Sequence, residues 1–402
     1  MAHACHLCSE SELLPLLEFG EHPIAHHFLT DLRQEEYVHA VTLNVCTNCG
    51  LIQLSDPVPA EMLYTEYVCL SSWKHQPHVQ RMVSLINELA DITEESRIVE
   101  VGSNDGSFLR ALRDEGYRNL FGIEPALDAQ QAARENGFET LGAYFSPAVA
   151  QELAATRGQC DLLLARQVLE HILDLGPFQE AIQALLRPGG HVLIEVPNFD
   201  FNLDVPDYSG IWEEHVNYFT LETMTRYLAD AGIRVVHSET ALFSGETLIV
   251  LGEYTAKPIA TSKQKAEESK LRAIEFRDRW PAFRRELSRF LQNLRDEQKR
   301  IAVYGAGCRA CSLINFAEIG ALIEYVVDDQ REKQGKYLPG SRLPIVPSEI
   351  LKEDAIDLCL LAVNAENEET VIAKHREYEN SGGKFASILP PSERLLPCWQ
   401  AH

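Results

Sequence analysis

The sequence predicts an α/β protein in which two separate parallel sheets follow a small cysteine-bearing module. Three observations predict it: two Cys-x-x-Cys pairs near the start, a strand, glycine turn and helix at residues 98–109, and a second such unit at 301–310. Strands alternating with helices imply a mostly parallel sheet with helices on both faces. We expect a zinc-binding module at 1–66, a central domain at 67–255, a helical linker at 256–299 and a second Rossmann-like domain at 300–402.

Length, charge and hydropathy exclude several classes of protein. A chain of 402 residues exceeds what one hydrophobic core usually serves. The formal charge of -24, from 36 basic and 60 acidic residues, argues against nucleic-acid or anionic-membrane surfaces. No apolar run approaches the roughly 18 to 20 residues that cross a bilayer, and no export signal opens the chain. We expect a cytoplasmic protein with reduced thiols; the sequence does not indicate its oligomeric state.

Four cysteines are spaced as zinc ligands. Cys5-x-x-Cys8 and Cys46-x-x-Cys49 can close a tetrahedral site of four thiolates, which leaves no open coordination position. The zinc is therefore expected to be structural and to hold together a module too small for its own core. Replacement of a cysteine by a nearby histidine is less expected, because the two pairs fill the shell; the histidines are His3, His6, His26 and His27. Cys308 and Cys311 read as packed thiols at a helix start.

The turn after residues 98–101 is the first candidate ligand site. A turn at the carboxyl end of the first strand of an open α/β sheet is where ligands bind, and a carboxylate at the tip of the next strand can accept hydrogen bonds from a ribose. Asn104 replaces the second glycine of a dinucleotide fingerprint, so a ribose-bearing ligand without phosphates is favoured, namely S-adenosylmethionine. A purely structural turn is the alternative. The candidate residues are Gly102, Asn104, Asp105, Gly106, Glu124 and Pro125.

The rest of the central domain follows the same alternation. Strands are expected at 121–123, 161–165 and 191–196, and helices at 79–89, 107–115, 126–136 and 178–186, with a turn at 187–190. The run from Gln167 to His171 follows a buried strand, so its side chains should lie at the carboxyl edge over the ligand, where Gln167 is a further cofactor candidate. This order of parts resembles class I S-adenosylmethionine-dependent methyltransferases.

Residues 211–220 carry the most reactive side chains. His215, flanked by carboxylates, is the candidate general base, with Glu214 or Glu213 orienting or charging it. The segment should cap the same pocket, where Trp212, Asn198 and Tyr218 are candidate substrate contacts. The alternative is a surface Glu-Glu-His turn before a helix that Thr220 caps.

The last part of the chain offers a competing cofactor. Residues 263–299 read as an amphipathic helix, or a helical pair interrupted at Pro281, packed between domains. Gly305-x-Gly307-x-x-Ala310, with Asp328 after the next strand, fits a relaxed dinucleotide fingerprint, so NAD is a competitor. The unit has room for about four strands. A loop at 333–340 with two lysines suits phosphate, or is a solvated turn.

The whole layout resembles the bacterial sugar C-methyltransferases that act on nucleotide-linked deoxysugars, of the tetronitrose and mycarose type. Nearly the whole chain is covered: both cysteine pairs and the segments 44–54, 102–106, 214–219, 304–307 and 334–340. The resemblance implies a methyl donor in the central domain and a role in deoxysugar and natural product biosynthesis. It also implies that the last domain binds the sugar's nucleotide rather than NAD, with Gly305, Lys333, Lys336 and Tyr337 as candidate contacts.

In that family a 4-keto group acidifies the C3 proton, a histidine removes it, and the enolate takes the methyl group. Such enzymes typically carry Tyr-His-Glu-His where this chain has Trp212-Glu213-Glu214-His215. Without the phenol, O- or N-methyl transfer remains an alternative. An NAD-dependent oxidoreductase and a non-catalytic zinc-stapled binding module remain alternatives of other classes.

Overall fold

The computed structural model describes residues 4–63, 76–257 and 259–399. The linker expected around Ser71 and Ser72, and the expected boundary at residues 66 and 67, lie outside these ranges. The described residues form three sheets of four, seven and five strands. In the described part of the chain, no helix has both the length and the apolar character that a membrane span requires.

The amino-terminal sheet is antiparallel and has the order β1-β2-β3-β9. Its first strands are β1 (Leu13–Pro23), β2 (Val38–Cys46) and β3 (Ile52–Leu54), followed by the short helix α1 (Ala60–Leu63). Gly50 turns the chain between β2 and β3 with a φ of +78°, and a Cβ there would lie 3.0 Å from Ser269 Cβ. The fourth strand, β9 (Asn217–Tyr218), comes from the central part of the chain, so this sheet crosses the expected domain boundary.

The central sheet has the order β10-β11-β8-β7-β4-β5-β6, and only β11 runs antiparallel to its neighbours. Apolar clusters cover both of its faces, as near-continuous apolar strands require. Its elements are α2 (Val79–Leu89), β4 (Arg97–Val101), α3 (Ser107–Asp114), β5 (Asn119–Ile123), α4 (Leu127–Glu135), β6 (Glu139–Leu141), α5 (Pro147–Arg157), β7 (Cys160–Arg166), α6 (Leu175–Leu185), β8 (Leu186–Pro197), α7 (Phe199–Asp204), α8 (Leu221–Asp230), β10 (Ile233–Leu242) and β11 (Glu246–Tyr254).

Two local expectations for this domain have different outcomes. The expected turn at 187–190 is wrong as a separate element, because β8 already begins at Leu186 and the residues form an irregularity in its pairing with β7. The expected cap of α8 is confirmed: the Thr220 side chain accepts the Thr223 backbone N–H, and Thr223 Oγ1 accepts the Thr220 N–H in return.

The carboxyl-terminal sheet is entirely parallel, in the order β14-β13-β12-β15-β16. It has five strands rather than the expected four, because the two-residue strand β14 extends one edge and is too short to show a sequence pattern. Its elements are β12 (Ile301–Tyr304), α10 (Cys308–Phe316), β13 (Tyr325–Val327), β14 (Ile345–Val346), β15 (Leu358–Leu361), α11 (Ala365–Lys374), α12 (Arg376–Asn380) and β16 (Lys384–Ser387).

Residues 263–296 form one helix, α9 (Lys263–Asp296), which continues through Pro281. The helical-pair interpretation is therefore wrong. The apolar residues Phe276, Phe283 and Leu287 are fully buried in a cluster shared with β2 and α10. Helix α9 thus forms part of a common core between the first and last sheets.

Candidate active site and zinc cluster

The four amino-terminal cysteines converge on one point. Cys5 Sγ lies 3.4 Å from Cys49 Sγ, and Cys8 Sγ lies 3.5 Å from Cys46 Sγ. All four sulfur atoms lie within 4.8 Å of one another, and three of the cysteines are buried. Four convergent thiolates are the ligand set of a closed tetrahedral zinc site, so the cluster suits structural zinc.

Two glycines and Asn104 shape the turn after β4. Gly102 has a φ of +69°, and a Cβ there would lie 2.6 Å from Val168 Cγ2. Asn104 also adopts a left-handed conformation, with a φ of 48°. Gly106 caps α3 with a φ of 78°, and a Cβ there would lie 2.6 Å from the Phe138 ring. Only a bare backbone fits at the two glycines, because Val168 in the turn after β7 and Phe138 in the α4–β6 connection approach them closely.

Glu124 holds this turn at the tip of β5. Its Oε2 accepts the Asn104 N–H at 3.0 Å and its Oε1 accepts the Ala126 N–H at 2.9 Å. The residue is only 8% exposed. Burial raises the pKa of the Glu124 carboxyl, while these two backbone donors oppose the rise. The remaining lone pairs of a carboxylate in this position can accept hydrogen bonds from ribose hydroxyls.

The other predicted cofactor contacts lie around the same edge. Asp105 Oδ1 accepts the Ser107 N–H at 3.0 Å and begins α3. Pro125 follows Glu124, and its carbonyl accepts Gln130 Nε2 at 3.2 Å. Gln167 has a φ of 52° and donates from Nε2 to Thr247 Oγ1 at 3.1 Å. Its amide is therefore engaged with β11.

His215 lies in a buried group of rings at this edge. Its ring centroid lies 3.8 Å from that of Trp212 and 4.9 Å from that of His171. The side chains of Glu170, His171 and His215 each place one atom within 4.8 Å of the other two. Burial, together with His171, lowers the pKa of His215 well below its usual value. His215 is therefore neutral at pH 7 and has a free lone pair to accept a proton.

The two glutamates expected to orient His215 form other contacts. Glu213 is buried and accepts the Ala25 N–H at 2.8 Å, which ties the segment to the amino-terminal module. Burial raises the pKa of Glu213 to about 7. Glu214 contributes its backbone carbonyl, which accepts His171 Nδ1 at 2.9 Å. Among the described residues, neither carboxyl hydrogen-bonds to the His215 ring.

Glu170 and His171 were not assigned a role from sequence. Glu170 is 1% exposed, and neither carboxyl oxygen has a hydrogen-bond partner among the residues described. Burial raises its pKa to about 7. The carbonyl that His171 Nδ1 contacts can only accept, so Nδ1 carries a proton and donates it in this hydrogen bond. The available signal was their position directly after the buried strand β7.

The three candidate substrate contacts near His215 have different environments. Trp212 is half-buried, and its Nε1 has no partner among the described residues. Asn198 caps α7 and donates to Glu246 Oε1 at 2.6 Å. Tyr218 is buried in the shared core and donates its hydroxyl to the Trp212 carbonyl at 3.2 Å. Tyr218 therefore supports the Trp212 backbone.

The glycine turn of the last domain is partly filled by a lysine. Gly305 has a φ of +107°, and a Cβ there would lie 2.8 Å from the Ala362 carbonyl oxygen. Asp328 Oδ2 accepts the Ala306 N–H at 2.8 Å. Lys333 Nζ lies 2.9 Å from the Ala306 carbonyl oxygen and 3.5 Å from Asp328 Oδ2. Its ammonium therefore sits beside the carboxylate that would bind ribose in a dinucleotide site.

The lysine loop lies against the amino-terminal module. The Tyr337 and Leu29 backbones exchange hydrogen bonds of 2.8 and 3.0 Å, and Lys333 Nζ lies 5.4 Å from the centroid of the Phe28 ring. The half-buried side chains of Lys336 and Tyr337 form no hydrogen bond with a described residue. The expectation of a solvated surface turn is wrong, because the loop is docked. The Lys336 ammonium keeps its capacity to bind a phosphate.

Strand order and site together define a class I methyltransferase, whose methyl donor is S-adenosylmethionine. An antiparallel strand lies between two parallel ones at one edge of its seven-stranded sheet, and the glycine turn faces Glu124 at the carboxyl edge. The chain belongs to the C-methyltransferase family. It is 30% identical over 402 residues to "C-methyltransferase NovU" of Streptomyces niveus, covering 96% of this chain and 95% of that protein.

Three family models match successive parts of the chain. They are described as "Putative zinc binding domain" for residues 5–64, "Methyltransferase domain" for 73–238 and "C-methyltransferase C-terminal domain" for 255–390. The fold class, the methyltransferase activity and the zinc-binding module predicted from sequence are therefore confirmed.

Partial similarities extend to other methyltransferases. A "Ubiquinone biosynthesis O-methyltransferase" of Bordetella avium is 30% identical over 115 residues, which cover 28% of this chain and 47% of that protein. The solved magnesium protoporphyrin IX methyltransferase of Synechocystis, with bound SAH, has a TM-score of 0.35 at 14% identity, covering 44% of this chain and 83% of that one. Each covers less than half of this chain, so the full-length relative carries the family assignment.

Proposed function

We propose that this protein transfers a methyl group to a carbon, C3, of a nucleotide-linked 4-keto deoxysugar. The observation that carries the proposal is the position of His215, neutral and buried between two rings, against the turn that follows β7. Val168 of that turn packs at the Gly102 position. The base and the donor turn therefore adjoin at one edge of the sheet, as transfer between two bound substrates requires.

The binding site for the methyl donor is assigned to the turns that follow β4 and β5. The support for this assignment is Glu124, which lies buried at the tip of β5 beside the turn and fits a ribose. When bound, S-adenosylmethionine supplies an electrophilic methyl group on sulfur. Gly102, Asn104, Asp105, Gly106, Glu124, Pro125 and Gln167 are the proposed contacts.

The acceptor half is assigned to His215 and the rings around it. A neutral imidazole can take the C3 proton, and a 4-keto group makes that proton acidic. His171, held by the Glu214 carbonyl, lies beside the His215 ring. Glu214 then acts through its backbone, and the buried, raised-pKa Glu170 can hold a proton beside the two imidazoles.

The nucleotide of the substrate is assigned to the last domain. Lys336 and Tyr337 have side chains without a described partner, in the same loop as Lys333, which contacts the Gly305 turn at Ala306. Lys333 instead contacts Ala306 and Asp328, and this contact supports a nucleotide-sugar site over an NAD site. We divide the chain into zinc module, donor domain, helix α9 and substrate domain near the boundaries expected from sequence. We also propose that it works in the cytoplasm without nucleic acid.

A second candidate function is O- or N-methyl transfer to a related small molecule. The observation that favours it is Trp212, whose indole stands where the resembling enzymes carry a phenol. Its Nε1–H has no described partner and can donate to a substrate oxygen, but it cannot accept a proton.

The test is to incubate the protein with a panel of nucleotide-linked 4-keto deoxysugars and a labelled methyl donor. Mass spectrometry and NMR of the products should place the methyl group on carbon. Without donor, the C3 hydrogen should exchange with deuterated solvent. A product methylated on oxygen or nitrogen would overturn carbon transfer and support the second candidate.

Substitution of the base gives an independent test. His215→Ala should lower kcat by about 10² to 10⁴-fold, the usual contribution of a general base, while the donor Kd stays unchanged. His237→Ala, on the half-exposed strand β10, is the matched control. Full activity of His215→Ala would place the base elsewhere.

A further inference from the structure

Asn217 connects the zinc module to the turn that carries Glu170 and His171. Its Nδ2 donates to the Leu169 carbonyl at 3.1 Å and to the Ile172 carbonyl at 2.6 Å. These two carbonyls are the two ends of the turn. Asn217 is 1% exposed, so the bonds are shielded from water. The side chain thus holds both ends of the turn from one side.

His6 lies on the other side of Asn217, inside the first cysteine pair. Its Nδ1 lies 2.8 Å from Asn217 Oδ1. Because both protons of the Asn217 amide point at carbonyls, Oδ1 is an acceptor, and His6 Nδ1 must be the donor. The hydrogen bond therefore has a fixed direction, from residues 5–8, called the zinc knuckle, to the turn after β7.

The knuckle itself is fixed on the sheet by Gln53. Its fully buried amide accepts the His6 backbone N–H at 2.9 Å and donates to the Ala4 carbonyl at 3.2 Å. Cys5, one residue before His6, contributes a sulfur to the zinc cluster. The position of the His6 ring is thus set by both the cluster and the sheet.

Backbone hydrogen bonds also join the zinc module to the turn after β7. The Val216 N–H donates to the Glu170 carbonyl at 2.7 Å, and the Leu54 N–H donates to the Val216 carbonyl at 3.0 Å. Strand β9 pairs with β3 through Asn217 and Tyr218. The residues directly after His215 are therefore a strand of the zinc module's sheet.

We propose that His6 and Asn217 are positioning residues through which the zinc knuckle holds Glu170 and His171 against His215. A zinc ion held by Cys5, Cys8, Cys46 and Cys49 would fix residues 5–8 without touching the substrate. His6 holds Asn217, and Asn217 holds the turn. The proposal rests on the proposed function only where catalysis is measured.

The first test measures the turn itself and needs no acceptor substrate. In the full-length zinc-loaded protein, His6→Ala should raise amide hydrogen exchange in peptides that contain the Ile172 and Val216 N–H groups. Zinc content and the Kd for S-adenosylmethionine should stay as in the unsubstituted protein. His6→Asn keeps an N–H donor near the position of Nδ1 and should restore protection. His39→Ala, a module histidine bonded to Asp56 and Tyr37, is the matched control.

The second test measures catalysis with whichever acceptor the protein methylates. His6→Ala should lower kcat by about 10 to 100-fold, the effect of a displacement of about 1 Å in a catalytic group, with little change in KM for the donor. His6→Asn should recover most of it. If His6→Ala fails to fold, Asn217→Asp serves instead, because it replaces the donor facing two carbonyls by an acceptor.

Unchanged exchange at both amides, kcat within twofold of the unsubstituted protein, or a loss that His6→Asn does not rescue would overturn the inference. Zinc loss in proportion to the loss of kcat would also overturn it, since the effect would then be simple unfolding of the module. A protein that shows the exchange changes but methylates no carbon acceptor would refute the proposed function and leave the positioning role intact.

Discussion

Glu170 is a buried carboxylic acid, and no described residue donates a hydrogen bond to either of its side-chain oxygens. Burial raises its pKa from the ordinary value of 4.5 to about 7. The folded state therefore holds its proton at pH values where the unfolded chain has lost it. By linkage, this group stabilises the fold fully below pH 4.5, and the contribution is lost as the pH rises through about 7.

Glu170→Gln, neutral at every pH, should remove that loss. The unsubstituted protein loses this contribution as the pH rises, and the variant does not. The difference between their free energies of unfolding should therefore shift in favour of the variant by on the order of 3 kcal/mol between pH 5 and pH 8. Urea unfolding at several pH values measures this. Glu180→Gln on the exposed face of α6 is the control, and parallel curves for the Glu170 variant and the unsubstituted protein would contradict the assignment.

Glu124 is expected to decide donor affinity. Glu124→Gln replaces one of two acceptors that face backbone N–H groups by a donor and removes the charge offered to the ribose. Since hydrogen bonds to charged groups are worth about 1.5 to 3 kcal/mol, the Kd for S-adenosylmethionine should rise by about 10 to 100-fold in calorimetry. Glu135→Gln, exposed at the end of α4, should bind normally. Equal affinities would place the ribose elsewhere.

At the scale of elements, the short strand β9 has the largest consequence for the site. It has two residues, yet it joins the central part of the chain to the zinc module's sheet beside His215. A two-residue strand adds little stability alone. Its position therefore depends on its pairing with β3 and on the hydrogen bonds from Asn217 to the turn after β7.

Cys46→Ser should reduce bound zinc from about one ion per chain to a small fraction, because a closed tetrahedral site needs four strong ligands. Metal analysis measures the content, and limited proteolysis should show cleavage within residues 5–63. Cys308→Ser, at the start of α10, should keep its zinc. Full zinc content in the Cys46 variant would show that this thiolate is not a ligand.

Helix α9 shows how one element can serve two domains. Its sequence pattern predicts an amphipathic helix, but its partners lie far away in sequence, in β2 and in α10. The fully buried Phe276 and Phe283 pack around Tyr208, whose hydroxyl donates to the Phe276 carbonyl at 2.8 Å. The helix thereby joins the first sheet, the segment before Trp212 and the last domain.

At the scale of the whole molecule, a buried ion pair joins the central and last domains. Arg309 Nη2 lies 2.8 Å from Asp207 Oδ2 and 3.0 Å from the Pro390 carbonyl oxygen, and Arg309 Nε donates to Ser209 Oγ at 3.1 Å. The two charged side chains are 9% and 2% exposed. Asp207 lies five residues before Trp212, so the pair fixes the backbone just before the segment that carries Trp212 and His215.

Arg309→Met should lower the free energy of unfolding by about 3 to 5 kcal/mol, because it leaves a buried carboxylate unpaired. Adding Asp207→Asn should recover part of the loss, since the unpaired charge is then removed. Urea unfolding of the single and double variants measures both effects. Lys352→Met, which breaks the exposed pair with Glu377, should cost less than about 1 kcal/mol. If Arg309→Met and Lys352→Met lowered the free energy of unfolding by similar amounts, the role of the buried pair would be contradicted.

The sequence by itself determined the local elements and the chemistry that depends on neighbouring residues. Strand β4, its glycine turn and α3 follow from apolar runs broken by glycine, and the zinc ligands follow from two close cysteine pairs. These features depend on contacts only a few residues apart along the chain, so spacing alone reveals them.

Only the tertiary structure decided what surrounds His215. Glu213 and Glu214 are its sequence neighbours, but neither carboxyl hydrogen-bonds to its ring among the described residues, while Glu170 and His171 approach from another loop. The same holds for Lys333 beside Asp328, for β9 in the first sheet and for α9 in the shared core. The physical reason is that burial and long-range pairing depend on how distant segments pack, and no local pattern records which segments those are.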